Sequence, residues 1–465
     1  MAPSSKSFNP NKHLKEEFVS NLGGSSMLEI SMLLTIVPVI VLLRHSISSY
    51  QPTGTGNKDV SSKKGNASNC NRNLGAFMAT ITADFCLMVI PVLLCFTVLS
   101  EWTYFVLVLL VLAVVIVAKR SYSPYPSKKI SRSVRTDISA YRVATVVVTC
   151  LCILAVDFKI FPRNYAKTET YGTSLMDLGV GSFIVANALV SRQARNVSSA
   201  NIKSALKATS PLILLGFGRL LSTSSVDYQV HVGEYGVHWN FFYTLAAVSI
   251  LTSIIDIPPQ YCGIFGIIIL IGYQGCLLQG LNLYLLSSER GSDIISQNKE
   301  GIFSIFGYWG MYLIGVQLGH YLFFGNHVSG TNRGKQWSRR RLWILAFLFW
   351  LLTIIVDKYV ERVSRRMCNL AYVTFVFAQN LQVLAVFALS DLVGGSFTSA
   401  LEDALDRNLL GSFLLANILT GVVNLLVDTL FASSLKALSI LCVYAYTLSI
   451  SCGALDYYGI RLKFW

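Results

Sequence analysis

An all-α, polytopic integral membrane fold is what three features of this sequence predict. Only 13% of the residues are charged and 53% are hydrophobic, whereas soluble proteins carry about 25% charged residues. Apolar runs of 17 or more residues recur from about position 27 to about position 455, and a helix crosses the hydrocarbon layer with about 20 such residues. The runs are continuous rather than alternating, which excludes membrane-spanning β-strands. A helix is then the structure that satisfies its own backbone in lipid.

About 13 transmembrane helices follow in order, over 27–43, 74–98, 102–119, 138–156, 171–190, 207–223, 239–255, 260–286, 303–324, 341–356, 367–390, 409–430 and 435–455. The eighth is long, and a tilt or break is expected near Gly272 and Gly275. The polar stretch 51–72 reads as a flexible loop. No stretch of 100 residues stands apart. Residues 27–455 are therefore expected to form one membrane domain between a luminal segment, 1–26, and a cytosolic tail, 456–465. The first apolar run begins only near Met27 and lacks a small-residue cleavage site, so no cleaved leader is expected.

Orientation follows from the basic residues. The net charge of +14 is concentrated in loops, where it faces anionic headgroups, so membrane lipids rather than nucleic acid are the expected partners. The loop after segment three carries Lys119, Arg120, Lys128, Lys129, Arg132, Arg135 and Arg142. The loops after segments one, five and nine are also basic, while Glu101 alone marks the loop after segment two. Acidic Glu402, Asp403 and Asp406 after segment eleven are an exception, but acids count little in the rule. Odd loops are therefore placed in the cytosol, with the N-terminus luminal and the C-terminus cytosolic. The sequons at Asn66 and Asn196 then fall in the cytosol, out of reach of glycosylation. The ten cysteines lie mostly inside apolar runs and show no metal-ligand spacing, so they read as small buried hydrophobes, and no metal is expected.

The charged residues that remain mark candidate sites. Asp157 ends segment four, Lys167 lies ten residues on, and Pro162 between them breaks the helix. A turn there can fold the lysine toward the acid. A carboxylate beside an ammonium stays ionised and can take the proton of an attacking hydroxyl, while the ammonium stabilises an oxyanion or holds the acid in place. An interfacial charge pair touching headgroups is the plainer alternative. Asp177 borders segment five with Gly179, Gly181 and Asn187 and reads equally as pocket acid or as part of a tightly packed helix end. Gln274, Gln279 and Asn282 fall partly on one helix face. Asn298 and Ser304 can cap the start of segment nine, with Glu300 near its positive end; a headgroup contact is the other reading. Arg365 and Arg366, ahead of Asn369, form a plausible clamp for a lipid phosphate. Asn417 and Asn424 are seven apart and share a helix face, either as helix-to-helix glue or as a polar path for substrate.

A transporter, a lipid-modifying enzyme and a structural subunit all fit so far. A transporter should put its charges near the bilayer midplane and show broken helices or repeats. Here the best charges lie at a helix end, no repeat is visible, and chemistry on a lipid with a polar head is favoured.

Four blocks then carry a resemblance: VDFKIFPRNYAKTETYGTSLMDLGVGSF at 156–183, NKEGIFSIFGYWGMYLIG at 298–315, RRMCNLAYV at 365–373 and LANILTGVVNLLVDT at 415–429. In this order, across most of the chain, they resemble the inositol acyltransferase family of glycosylphosphatidylinositol (GPI) anchor biosynthesis. The resemblance implies a multi-pass endoplasmic reticulum enzyme. Such an enzyme moves a fatty acyl group, typically palmitoyl, from acyl-CoA to the inositol 2-hydroxyl of glucosaminyl-phosphatidylinositol. Acyl-CoA is then a co-substrate, no cofactor is needed, and no obligate protein partner is indicated. The family's luminal acid and lysine fall on Asp157 and Lys167. Asp177, Asn298, Glu300, Arg365, Arg366, Asn369, Asn417 and Asn424 are the expected substrate-holding residues. Because acyl-CoA is made in the cytosol, its headgroup must enter a cavity open from one side for its thioester to reach Asp157. Membrane-bound O-acyltransferases that use a buried histidine are the nearest alternative chemistry. Of the six histidines here, only His320 falls within an expected segment.

Overall fold

The structure is a computed structural model, and it describes residues 22–48, 73–120, 134–197, 202–225, 232–325, 332–390 and 399–462, with a few single residues between 14 and 20. The stretch 51–72 with Asn66, and most of the segment 1–26, lie outside the described residues.

The described chain is helical, in keeping with the all-α expectation. Its helices are α1 (Met27–Ser48), α2 (Leu74–Phe96, through a π-turn at Phe85–Val89), α3 (Thr103–Arg120), α4 (Val134–Ala155), α5 (Leu178–Leu189), α6 (Ile202–Ser225), α7 (Val232–Tyr235) and α8 (Phe241–Ile254). They continue as α9 (Pro259–Leu286), α10 (Ile294–Gln297), α11 (Lys299–Phe324), α12 (Asn332–Tyr359), α13 (Leu370–Phe387), α14 (Ala400–Arg407), α15 (Leu409–Leu426) and α16 (Ser434–Tyr457). A single antiparallel bridge, Ser25 to Thr173, is the β-type pairing among the described residues. The helix starts are set by side chains that accept orphan backbone N–H groups. Asn73 does so for α2 and Asn240 for α8. Ser399 and Glu402 form a reciprocal capping box on α14.

Among the described residues, ten helices are long and apolar enough to cross a membrane. They match ten of the thirteen expected segments. The other three, expected over 171–190, 207–223 and 239–255, correspond to shorter apolar helices at Leu178–Leu189, Thr209–Ser222 and Phe241–Ile254. At 1.5 Å per residue the 12-residue α5 spans about 18 Å, less than the roughly 30 Å hydrocarbon layer. Its missing turns are residues 171–177, which the sequence marked as apolar chain but which fold as non-helical polar backbone. The expected break in α9 also moves. It falls at a π-turn, Leu277–Leu281, where Gly280 takes φ 114°, rather than at Gly272 or Gly275. Glycine alone adopts that angle without a Cβ penalty.

The chain groups into two compact units: Met1–Leu34 with Phe161–Ala385 and Phe464–Trp465, and Thr35–Ile160 with Val386–Lys463. In the first, α11 packs against α5, α8 and α9, and α8 against α6. Gly315 and Gly319 let α11 approach Ala188 and Leu189 of α5 so closely that a Cβ on either would collide. In the second, α15 and α14 pack on α4, and α16 packs on α2 and α14.

Polar contacts join segment ends of matching parity. In the first unit, loops 161–177, 232–240, 287–300 and 360–369, all even-numbered in the sequence topology, share one hydrogen-bonded network. At the opposite ends, Gln193 reaches Ile257 O, His320 meets Ala194 O, and Ser338 donates to Leu322 O. In the second unit Arg44 pairs with Asp84, His45 with Glu402, Arg407 with Asp456, and Ser390 with Asp137. These contacts fix which ends face each other, and α5 runs from one cluster of the first unit to the other.

Candidate active site

Asp157 follows α4 by one turn, its N–H bonding Leu154 O. Its side chain is buried, 6% exposed, and Oδ2 accepts from Nδ2 of Asn424 at 2.7 Å. Asn424 also donates back to Thr420 O on its own helix. Asn417, one face repeat earlier on α15, spends its amide on Phe413 O. Of the two asparagines paired by spacing, one therefore holds the acid, and the other bonds its own helix.

Pro162 (φ −57°, ψ 132°) turns the chain out of the helical path into a 3-10 turn, Arg163–Tyr165, which delivers Lys167 to the network of the first unit. Asp157 belongs to the second unit and Lys167 to the first. The ammonium of Lys167 donates to both oxygens of Glu234, at 2.8 and 2.9 Å. Glu234 accepts in turn from Arg365 Nη1 at 3.2 Å, and Arg365 Nε donates to Asp177 Oδ1 at 2.9 Å. Asp177 accepts from the backbone N–H and hydroxyl of Thr168, the residue after Lys167. The result is a closed ring, Lys167–Glu234–Arg365–Asp177–Thr168. Exposure falls along it from 39% at Lys167 through 17% and 5% to 1% at Asp177. Two cations balance two carboxylates, so the buried half carries no net charge, as burial of ions requires. Burial would raise the Glu234 carboxyl, but Lys167 and Arg365 override it and hold the acid at about 2.

This geometry changes the standing of several expected substrate-holding residues. Arg365 is not a free phosphate clamp, because two carboxylates take its guanidinium. Asp177 is an internal partner whose own C=O also accepts from Tyr372 Oη at 2.7 Å. Asn298 does not cap α11 with its side chain: Oδ1 accepts from the N–H groups of His238 and Trp239, tying loop 232–240 to α11. Ser304 likewise bonds Gly301 O within the helix. Glu300 binds Arg290 at 2.7 Å and Arg366 at 2.9 Å. Beside it the Lys299 ammonium is enclosed by the carbonyls of Tyr284, Ser287 and Glu289 and the Ser287 hydroxyl. Asn369 caps α13 by accepting from the N–H of Tyr372.

Four residues with buried or networked side chains were not among the sequence candidates. Glu234 and Arg290 are two of them, and Glu361, which accepts from Asn369 at 3.1 Å, is the third. His45 was placed beyond the first segment, yet it lies inside α1, is 4% exposed, and contacts Glu402 at 2.7 Å. His320, the one intramembrane histidine expected, meets a backbone carbonyl. Among the described residues no three His, Cys, Asp or Glu come together as a metal site.

The GWT1 family model matches residues 11–455. An uncharacterized protein of Arabidopsis thaliana is 56% identical over 93% of this chain and 100% of its own length. GPI-anchored wall transfer protein 1 of Gibberella zeae is 34% identical over 97% and 98% of the two chains. The glucosaminyl-phosphatidylinositol-acyltransferase PIGW of Mus musculus is 32% identical over 98% and 99%.

Proposed function

The chain belongs to the GWT1 family, and on that premise we propose that it is an acyl-CoA-dependent O-acyltransferase of GPI-anchor biosynthesis in the endoplasmic reticulum membrane. Its acceptor is the inositol 2-hydroxyl of glucosaminyl-phosphatidylinositol, and its donor carries a long fatty acyl group such as palmitoyl. Asp157 is the general base. It takes the hydroxyl proton as the inositol oxygen attacks the thioester carbonyl, giving a tetrahedral oxyanion that Lys167 stabilises. The oxyanion collapses, the C–S bond breaks, and CoA leaves as a thiolate, which needs little acid assistance. No acyl-enzyme is required. The even-numbered loops face the lumen in this reading.

The observation that carries the proposal is the buried Asp157 carboxylate held by Asn424 at 2.7 Å. The amide donor on Oδ2 fixes the orientation of the acid. Lys167, the assisting cation in this reading, donates to both oxygens of Glu234. The test is purified protein with acyl-CoA and glucosaminyl-phosphatidylinositol. An acylated lipid and free CoA in equal amounts are expected; no acylated lipid overturns the proposal.

A further inference from the structure

Glu361 differs from Asp177, Glu234 and Glu300, each of which is paired with arginine or lysine. Glu361 accepts only from neutral groups: Tyr171 Oη at 3.1 Å and Asn282 Nδ2 at 3.2 Å on Oε1, Gln274 Nε2 at 2.7 Å and Asn369 Nδ2 at 3.1 Å on Oε2. Among the described residues no lysine, arginine or histidine lies within ion-pair distance of it.

The three amides are locked in that orientation. Gln274 Oε1 accepts from the N–H of Leu370, Asn369 Oδ1 from those of Ser364 and Tyr372, and Asn282 Oδ1 from that of Leu283. Each must therefore turn its NH₂ group toward Glu361. Neutral donors orient a carboxylate without supplying a countercharge, so the site is a preorganised acceptor that lacks a cation. Its two sides differ. Gln274 and Asn369 are buried at 4% and 0%, while Tyr171, Asn282 and Glu361 itself are half-buried. Oε1, whose partners are the half-buried pair, lacks the short 2.7 Å bond that Gln274 makes to Oε2, and Asn282 stands two residues past the Gly280 break.

We propose that Glu361 binds the protonated amine of an amino-sugar headgroup, the ammonium replacing the Tyr171 and Asn282 donors on Oε1. This rests on the acceptor lipid named above, whose glucosamine carries a primary amine. The ammonium supplies three donors and the missing positive charge. The site selects an amino sugar over its hydroxyl counterpart, because a neutral hydroxyl leaves the carboxylate charge unbalanced.

The test measures binding and transfer separately, with glucosaminyl-phosphatidylinositol and a synthetic glucosyl-phosphatidylinositol in which a hydroxyl replaces the amine. Wild-type protein in detergent is expected to bind the amine lipid about tenfold or more tightly, the scale of one charge-assisted hydrogen bond. That preference should fade as the pH passes the sugar amine's own pKa. Glu361→Gln should abolish the preference by weakening amine-lipid binding alone. Equal wild-type affinity for the two lipids overturns the inference without any variant, as does equal weakening of both by Glu361→Gln. Discrimination in binding with no acyl transfer to either lipid would instead overturn the acyltransferase reading and leave Glu361 its role.

Discussion

Lys167 and Glu234 form a two-pronged ion pair, the ammonium 2.8 and 2.9 Å from the two carboxylate oxygens across 67 residues of chain. That pair connects the loop after Asp157 to the buried Arg365–Asp177 bridge, so the position of the lysine is set from inside the protein.

Glu234→Gln keeps the shape and removes the charge. Arg365 retains Asp177, so the protein should fold, but Lys167 loses its anchor. Turnover should fall about tenfold, the cost of one mispositioned electrostatic group, with little change in KM for acyl-CoA. Glu234→Asp should recover part of the loss. Unchanged turnover in Glu234→Gln would remove the ring from the mechanism.

The same acid gives a pH signature. Its folded value of about 2 lies below the ordinary 4.5, so the unfolded chain binds the proton more readily. The stabilisation is fully present above about 4.5 and is lost as pH falls from there toward 2. Thermal melting in detergent should hold steady from pH 7 to 5 and drop below that window. The drop should be shallower in Glu234→Gln, and parallel curves for the two proteins would contradict the assignment.

Deeper in the ring, Asp177→Ala strands Arg365, which is 5% exposed, with only the outer carboxylate for balance. Breaking a buried pair costs about 3–5 kcal/mol. The variant should melt far below wild type or fail to accumulate, and a melting point within a degree or two of wild type would mean the bridge is not structural.

Two asparagines one face repeat apart on α15 should behave differently. Asn424→Ala removes the amide bond to Asp157 Oδ2 and should lower kcat about tenfold with KM nearly unchanged. Asn417→Ala loses only a bond to its own helix and should stay within about twofold of wild type. Equal effects would show that Asn424 acts through packing rather than through Asp157.

Parity of the segment ends can be checked with glycosylation acceptors. A sequon inserted near Ser292 should receive sugar and one inserted near Gly325 should not. Native Asn196 should remain bare. Sugar at Asn196 would invert the orientation.

Much of the architecture was legible because a long apolar run folds as a helix able to cross a membrane, and ten of the expected segments follow from that signal. What hydropathy could not resolve was backbone shape inside an apolar run. Residues 171–177 are apolar enough to extend α5 yet are held as turns by Asp177 and Thr173, and nothing in the sequence marks Gly280 as the break over Gly272 or Gly275. The site was legible where chemistry is local: Asp157, Lys167 and the proline between them stand in one block. It was not legible where partners come from distant loops. Glu234 and Glu361 look like ordinary loop acids until the fold brings Lys167 to the one and three locked amides to the other. Arg365 and Arg366 looked alike in sequence, yet one is sealed between carboxylates and the other reaches Glu300.

The central claim, that Asp157 removes the proton from the acceptor hydroxyl, is tested most directly by acyl transfer from acyl-CoA to glucosaminyl-phosphatidylinositol with purified Asp157→Asn. The amide fills the same space and can still bond Asn424, so the fold and lipid binding should survive while transfer falls at least a hundredfold, the usual scale of general-base loss of about 10²–10⁴. Transfer at wild-type rate by folded Asp157→Asn would contradict the account.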